Sequence, residues 1–267
     1  MTKKTSHILL WVYAVGFITY LLAPLAVMAG AAFNNDKFPS VMPWKGFTWR
    51  WFDELYHDVY IWQYSQNTLW VALVVVALAV PIGTAGAILV NSLKGRSRSL
   101  LYAAMIAPIL TPGAVIGIST LIFWSKFNVP AGLHLAILGQ TSFIAAYVML
   151  MVLARLQSFD AGLEEAALDL GASHWQTLRR VLLPHLYPAI GAGALLAFFQ
   201  SVENFNITKF TRGASNTLTV YIGSKARSGA SPSINALATI LIGVTIVGAI
   251  GYEIWRRRKA ARLAVLD

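Results

Sequence analysis

The sequence predicts an all-α integral membrane protein with six transmembrane helices. Hydrophobic residues make up 57% of its 267 residues and charged residues only 12%, against about 25% charged residues in typical soluble proteins. Six apolar stretches have the roughly 20-residue length that one bilayer crossing requires. Between the fourth and fifth stretches lies an amphipathic segment, residues 158–184, which is predicted to lie on the inner face of the membrane.

The charge balance has a topological explanation. The chain carries 21 Lys and Arg against 11 Asp and Glu, which gives a net charge of +10. In a soluble protein this excess would suggest nucleic acid, but in a membrane protein Lys and Arg collect on cytoplasmic loops, so no nucleic-acid partner is expected. The basic clusters at 94–98 and 256–259 place both termini in the cytoplasm. Cysteine is absent, which excludes disulfides, thiolate metal sites and cysteine nucleophiles.

The six spans form one predicted domain over residues 1–267. A signal peptide is the alternative for the first span, because Lys3 and Lys4 give it a basic start. Its apolar run exceeds the 7–15 residues of a signal-peptide core, which favours a membrane span. The predicted spans are 7–33, 66–93, 99–123, 133–153, 186–207 and 233–255.

Prolines and glycines mark special positions in the second and third spans. Pro81, Pro108 and Pro112 remove backbone donors, and they are consistent with hinges or with ordinary packing kinks. Gly113 and Gly117 form a G-x-x-x-G pattern, which lets a neighbouring helix approach closely.

The 158–184 segment shows helical periodicity. Leu163, Ala167, Leu170, His174 and Leu178 recur at spacings of three or four residues, which place them on one helical face. Glycine interrupts this pattern at position 171, so the segment is predicted to form two short helices that meet at a bend on the inner face of the membrane.

The same segment carries a recognisable motif. Glu165-Ala166-Ala167 is followed after three residues by Gly171, and after nine more by Val181-x-Leu183-Pro184. This spacing resembles the EAA loop of the membrane subunits of ABC importers. The family pattern has isoleucine where this chain has Val181. The resemblance implies that the segment is a cytoplasmic coupling helix between the fourth and fifth spans. Its ATPase-contacting residues would be Glu165, Ala166, Ala167, Gly171 and Pro184. A membrane-bound linker without a partner is the alternative.

Two weaker stretches, 46–52 and 235–240, resemble the polyamine-type permeases of this family. The resemblance implies a multi-pass subunit of the bacterial inner (cytoplasmic) membrane, in contact with membrane lipid. Its partners would be two ATP-binding cassette subunits, a second homologous permease in a heterodimer, and a periplasmic or extracellular solute-binding protein. ATP and magnesium would be bound by the partner ATPase, and no cofactor by this chain.

The sequence shows no enzymatic constellation. A phosphate-binding loop with its Lys-Ser or Lys-Thr is missing, as are the His-Glu-x-x-His and Gly-x-Ser-x-Gly motifs. The histidines are scattered along the chain. We therefore expect a non-catalytic transport subunit whose ATP is hydrolysed by a separate chain.

Glu203 is the leading candidate for the solute path. It is the one carboxylate well inside a predicted span, and intramembrane carboxylates are costly and commonly functional. Asn204, Asn206 and Gln200 accompany it and could replace the water around an ammonium group. The resemblance therefore implies a small cationic solute, most readily a polyamine of the spermidine or putrescine type. Solvation of Glu203, or its pairing with Lys209 or Arg212, is the alternative.

Two other functions fit the sequence less closely. The same architecture could carry an amino-acid derivative, thiamine or an opine. A stand-alone secondary transporter would be expected to carry paired ionisable residues in several spans, or inverted repeats, and neither is evident here.

Overall fold

The computed structural model describes residues 3–228 and 231–263, and apart from one isolated antiparallel bridge between Asn34 and Phe47 the secondary structure in these ranges is helical. A five-residue π-helical turn, Leu178–Leu182, precedes the ninth α-helix. The α-helices are α1 (Lys3–Ala32), α2 (Arg50–His57), α3 (Val59–Ser92), α4 (Gly95–Leu110), α5 (Gly113–Ser125), α6 (Leu133–Leu156), α7 (Ala161–Asp169), α8 (His174–Thr177), α9 (Leu183–Val202), α10 (Asn206–Thr211), α11 (Leu218–Ser228) and α12 (Pro232–Leu263).

Within the described ranges, five helices are long and apolar enough to cross a membrane. The pair α4 and α5 would make a sixth span, although its two helices are bent by 106°. Contacts divide the chain into two compact units, Met1–Ile61 with Ser224–Asp267, and Trp62–Gly223. The single domain predicted over 1–267 stays a prediction.

The structure differs from the predicted spans at two breaks. The third predicted span, 99–123, is broken at Thr111 and Pro112, where proline supplies no N–H to continue the helical ladder. The fifth, 186–207, is broken at 203–205, and the chain resumes as the short helix α10. Glu203 therefore caps a helix end instead of projecting from the middle of a helix.

In the first unit, α12 packs against α1 and α2. The loop before α2 is organised around the buried Asn34. Its amide donates to the carbonyls of Ser40 (2.9 Å) and Pro43 (3.0 Å), and its backbone carbonyl accepts from the Trp51 indole at 2.8 Å. These bonds give the loop one defined conformation. Phe33 forms an aromatic cluster in this loop, in which it stacks on Phe47, meets Trp49 edge-on and lies tilted against Phe52.

An ion pair adds to the order of this loop. Lys45 Nζ lies 2.9 Å from the buried carboxylate of Asp36. The hydrogen bond from Lys45, together with one from the Phe38 backbone, lowers the pKa of Asp36 below its usual 3.8.

In the second unit, α6 is the central helix. It packs against α9, α4, α10 and α5. Its buried face joins residues of α3 and α9 in one apolar core that includes Val75, Ile144, Met149 and Leu186. This arrangement places the C-terminal end of α9 and the short α10 against α6, where the candidate site lies.

Helix α3 lies very close to α6 at Gly83. A Cβ atom at this position would lie 2.6 Å from the Ala145 carbonyl oxygen and 2.7 Å from Val148 Cβ. Because both neighbours are fixed by the α6 backbone, only glycine fits without moving a helix.

Replacing Gly83 with alanine should therefore destabilise the chain by about 1–3 kcal/mol, the usual cost of overpacking. Gly191→Ala is the matched control, because Gly191 is also helical but has open space around its Cβ position. Thermal unfolding of both variants in detergent measures the difference. Equal melting temperatures would contradict the close α3–α6 contact.

Candidate functional site

A pocket of about 200 Å³ lies at the break between α9 and α10. It brings together all four residues that the sequence suggested for the solute path, and it adds residues from α5 and α6. Its lining residues are Gly113, Phe143, Gln200, Glu203, Asn204, Phe205, Asn206 and Ile207. We call this cavity the Glu203 pocket.

The Glu203 carboxylate is exposed in this pocket. No residue in the described ranges forms an ion pair with it. Lys209 Nζ instead lies over the rings of Phe205 (5.5 Å) and Phe210 (5.7 Å). Arg212 donates to backbone carbonyls of its own loop. The pairing of Glu203 with Lys209 or Arg212 is therefore not seen, and the carboxylate is open to the pocket.

Asn204 has a structural role in the break. Its side-chain oxygen accepts from the backbone N–H groups of Ile207 (3.2 Å) and Thr208 (3.4 Å) at the start of α10. These donors have no partner within the helix, so the asparagine replaces the water that would otherwise satisfy them. Gln200 is half-buried one turn before the break, and Asn206 is exposed beside the pocket.

A buried network of Gln140, Ser201 and Thr208 joins three helices beside the pocket. Ser201 on α9 donates to Gln140 Oε1 on α6 (2.5 Å), and Gln140 Nε2 donates to Thr208 Oγ1 on α10 (2.8 Å). Gln140 is 1% exposed, and both polar atoms of its amide are bonded. We call these three residues the pocket-end network. Sequence reasoning missed it, although a glutamine inside an apolar span was the available signal.

Three glycines allow α10 to fit closely among its neighbours. A Cβ at Gly117 on α5 would lie 2.8 Å from the Ile207 carbonyl oxygen, and a Cβ at Gly139 on α6 would lie 2.8 Å from Ile207 Cγ2. A Cβ at Gly113 on α5 would lie 3.1 Å from Asn206 Cβ. The two glycines of the G-x-x-x-G pattern thus let α5 pack against α10 within this chain. Gly139 on α6 makes the same kind of contact but lies outside the pattern.

The 158–184 segment contains α7, α8 and the π-helical turn. Asp160 caps α7 by accepting from Gly162 N (2.9 Å), and Ser173 begins α8 with a capping box. Between them Gly171 adopts φ = +84°, a left-handed conformation that favours glycine. The bend expected between two short helices lies at this residue.

The predicted coupling residues lie mainly on the surface of this segment. Glu165, Ala166, Gly171 and Pro184 are exposed, and Ala167 is half-buried. The helical face predicted from the periodicity is only partly covered, because Ala167 and Leu178 are half-buried while its other residues are exposed. Its Leu163 and Leu170 are 53% and 90% exposed, and the neighbouring Trp175 is 66% exposed.

Both ends of the segment are attached to long helices. Arg155 Nε at the end of α6 donates to the His185 carbonyl at the start of α9 (3.2 Å). The His185 ring lies 3.4 Å from the Arg155 carbonyl and 5.1 Å, centre to centre, from the Phe159 ring. We call Arg155 and His185 the segment-end pair.

Metal ligation has no support in the described residues, where no three side chains of His, Cys, Asp or Glu are grouped as ligands.

Comparison with known proteins gives consistent matches. The family described as "Binding-protein-dependent transport system inner membrane component" matches residues 8–264. The spermidine/putrescine transport system permease protein PotC of Escherichia coli (strain K12) is 30% identical over 249 residues, covering 91% of this chain and 94% of the relative. The putrescine transport system permease protein PotI of the same strain is 34% identical over 258 residues, covering 93% and 91%.

Two solved structures have a similar fold. A bacterial ABC transporter involved in the import of the acidic polysaccharide alginate matches with a TM-score of 0.71 at 15% identity, covering 96% of this chain and 98% of that chain. The MetNI methionine ABC transporter in inward-facing conformations matches with a TM-score of 0.58 at 20% identity, covering 79% and 98%. At these identities the similarity establishes the helical fold alone.

The break between α9 and α10 provides a stability test. Asn204→Ala should destabilise the chain by about 0.5–2 kcal/mol, because two N–H groups at the start of α10 lose their acceptor. Asn206→Ala is the control, since this neighbouring asparagine is exposed. Chemical unfolding of both variants in detergent gives the comparison. Equal losses of stability would show that Asn204 does not hold the break.

Proposed function

Because this chain belongs to the family of binding-protein-dependent transport system inner membrane components, we propose that it is the permease subunit of an ATP-driven importer and forms half of a path for a small cationic amine of the polyamine class. The chain is a multi-pass membrane protein. The observation that carries the solute assignment is the open carboxylate of Glu203 in a pocket at a helix break.

The pocket suits an ammonium group for electrostatic reasons. A carboxylate without a cationic partner attracts a charged amine, and the amide groups of Gln200 and Asn206 beside it can replace part of the amine's hydration shell. The two Escherichia coli relatives are spermidine/putrescine and putrescine permeases, which supports the same solute class here. An amino-acid derivative, thiamine or an opine is the alternative, because the pocket is lined by a single carboxylate.

The 158–184 segment is proposed to contact a separate ATPase. Its exposed apolar and small side chains would fit into a groove on a partner protein, and the exposed carboxylate of Glu165 would orient the contact. Glu165, Ala166, Ala167, Gly171 and Pro184 are the contact residues in this proposal. ATP and magnesium would be bound by the two partner ATPases, which leaves this chain without a catalytic role.

The remaining partners complete the proposed importer. A second, homologous permease would form the other half of the path, as a heterodimer, and a solute-binding protein would deliver the solute from outside. Helix α1 presents apolar side chains such as Leu10, Trp11 and Tyr20 outward, more than half exposed, which suits contact with lipid or with another membrane subunit. Both termini would lie in the cytoplasm, because basic clusters follow α3 and end α12.

The solute assignment is tested in nanodiscs that hold the complete complex with its co-encoded partners. Spermidine or putrescine, delivered by the binding protein, should stimulate ATP hydrolysis. Glu203→Gln should raise the KM for the amine about 10- to 100-fold, because it removes a charge-assisted hydrogen bond. Glu253→Gln on α12 is the control, since it removes the same charge far along the chain from the pocket. Stimulation only by another solute would rule out the polyamine assignment.

The ATPase contact is tested by co-purification. Glu165→Ala should weaken retention of the ATPase at least about tenfold, as expected when an interface loses an orienting charge. Glu164→Ala is the matched control, because Glu164 is an equally exposed neighbour on α7. If the two variants retain the ATPase equally, the contact does not depend on the motif residue.

A further inference from the structure

The helices α6 and α9 flank the 158–184 segment and continue to the Glu203 pocket. The segment-end pair joins them at one end, through the hydrogen bond from Arg155 to the His185 carbonyl. The pocket-end network joins them at the other end, through the bond from Ser201 to Gln140. From Gln140 to the end of α6 at Leu156 the helix is about 24 Å long, at 1.5 Å per residue.

Close packing fills the length between these two attachments. A Cβ at Gly193 on α9 would lie 3.3 Å from Val148 Cγ1 on α6, so the helices meet there with almost no free space. Val148 and Ala197 are fully buried in the shared apolar core. Packed interiors have low compressibility and transmit displacement rather than absorbing it.

The pocket-end network also reaches the far wall of the pocket. Gln140 donates to Thr208, and Thr208 belongs to the helix that begins just after the break. Its hydroxyl lies 3.4 Å from the Asn204 side-chain oxygen. The network therefore connects α6 with the ends of both helices that frame Glu203.

We propose that Gln140 is a positioning residue that makes α6, α9 and α10 move as one lever, so that displacement of the 158–184 segment also displaces the walls of the Glu203 pocket that these helices form. The amide is suited to this role because it donates to α10 while it accepts from α9. An apolar residue of similar size would fill the space but would leave the three helices without a directional connection. This inference rests on the proposed function, in which an ATPase displaces the segment.

The lever has two measurable consequences. The first is mechanical: residues at its two ends keep a fixed separation. The second is functional: the amount of solute transported per ATP hydrolysed depends on Gln140. Coupling free energies between protein sites correspond to factors of about 5 to 150, so Gln140→Leu should lower this ratio at least about fivefold.

The functional measurement uses the complete complex in proteoliposomes, with spermidine as solute and the binding protein present. Gln140→Leu should continue to hydrolyse ATP while transporting less spermidine per ATP. Ser201→Ala, a milder change that removes only the donor to Gln140, should lower the ratio about twofold, and it decides the outcome if Gln140→Leu does not assemble. Ser142→Ala is the control, because Ser142 on the same helix bonds only to the Gly139 carbonyl in the described structure.

The mechanical measurement does not depend on which solute is transported. The chain has no cysteine, so Glu164→Cys on α7 and Lys209→Cys on α10 provide the two spin-label positions in a complex whose partner chains have had their cysteines replaced. Pulsed electron spin resonance of the complex should give a narrow distance distribution that is the same without nucleotide and with trapped ATP. Gln140→Leu should broaden the distribution, and Ser142→Ala should leave it narrow.

The two measurements separate the two proposals. A wild-type complex that spermidine fails to stimulate would overturn the polyamine assignment, and the label distances would still test the lever. A narrow distribution in Gln140→Leu, or an unchanged transport ratio in Gln140→Leu or Ser201→Ala with only a lower melting temperature, would mean that Gln140 contributes packing alone and would overturn the inference.

Discussion

The break between α9 and α10 depends on satisfying backbone donors where little water is available. A membrane-spanning helix satisfies its own N–H groups, but a new helix begins with donors that have no partner. Asn204 accepts hydrogen bonds from two of those N–H groups. The side chains of Gln140, Ser201 and Thr208, which are buried beside the break, bond to one another. Without these hydrogen bonds a continuous helix would have the lower free energy, and the helix break at which Glu203 lines the pocket would not form.

The pocket follows from this break together with three glycines. Gly113, Gly117 and Gly139 let α10 approach α5 and α6 more closely than any side chain would permit. The short helix is thereby fixed on two sides, while the residues just before it remain accessible to a ligand. Glu203 and Asn204 are adjacent in sequence but differ in role: the carboxylate is open to the pocket, whereas the amide oxygen is used to begin a helix.

Composition and hydropathy sufficed to predict a helical membrane protein, because apolar length is a property that each span carries locally. The four polar residues of the pocket were also found from sequence, since a carboxylate in an apolar run is conspicuous, whereas its apolar lining was not. The breaks at Thr111–Pro112 and at 203–205 were harder to place. Proline marked the first, but the second depends on hydrogen bonds to Asn204 and Thr208, which hydropathy does not report. The role of Gln140 required knowing which helices are neighbours.

The 158–184 segment differs from helix α6 in what its apolar residues contact. Helix α6 buries its apolar face among the neighbouring helices, whereas the leucines of the short helices at positions 163 and 170 are exposed. An exposed apolar surface is costly in water unless a partner covers it. The same segment is held firmly at both ends by α6 and α9. A surface that requires a partner, fixed to two helices that lead to the Glu203 pocket, is the arrangement in which binding energy at one site can become movement at the other.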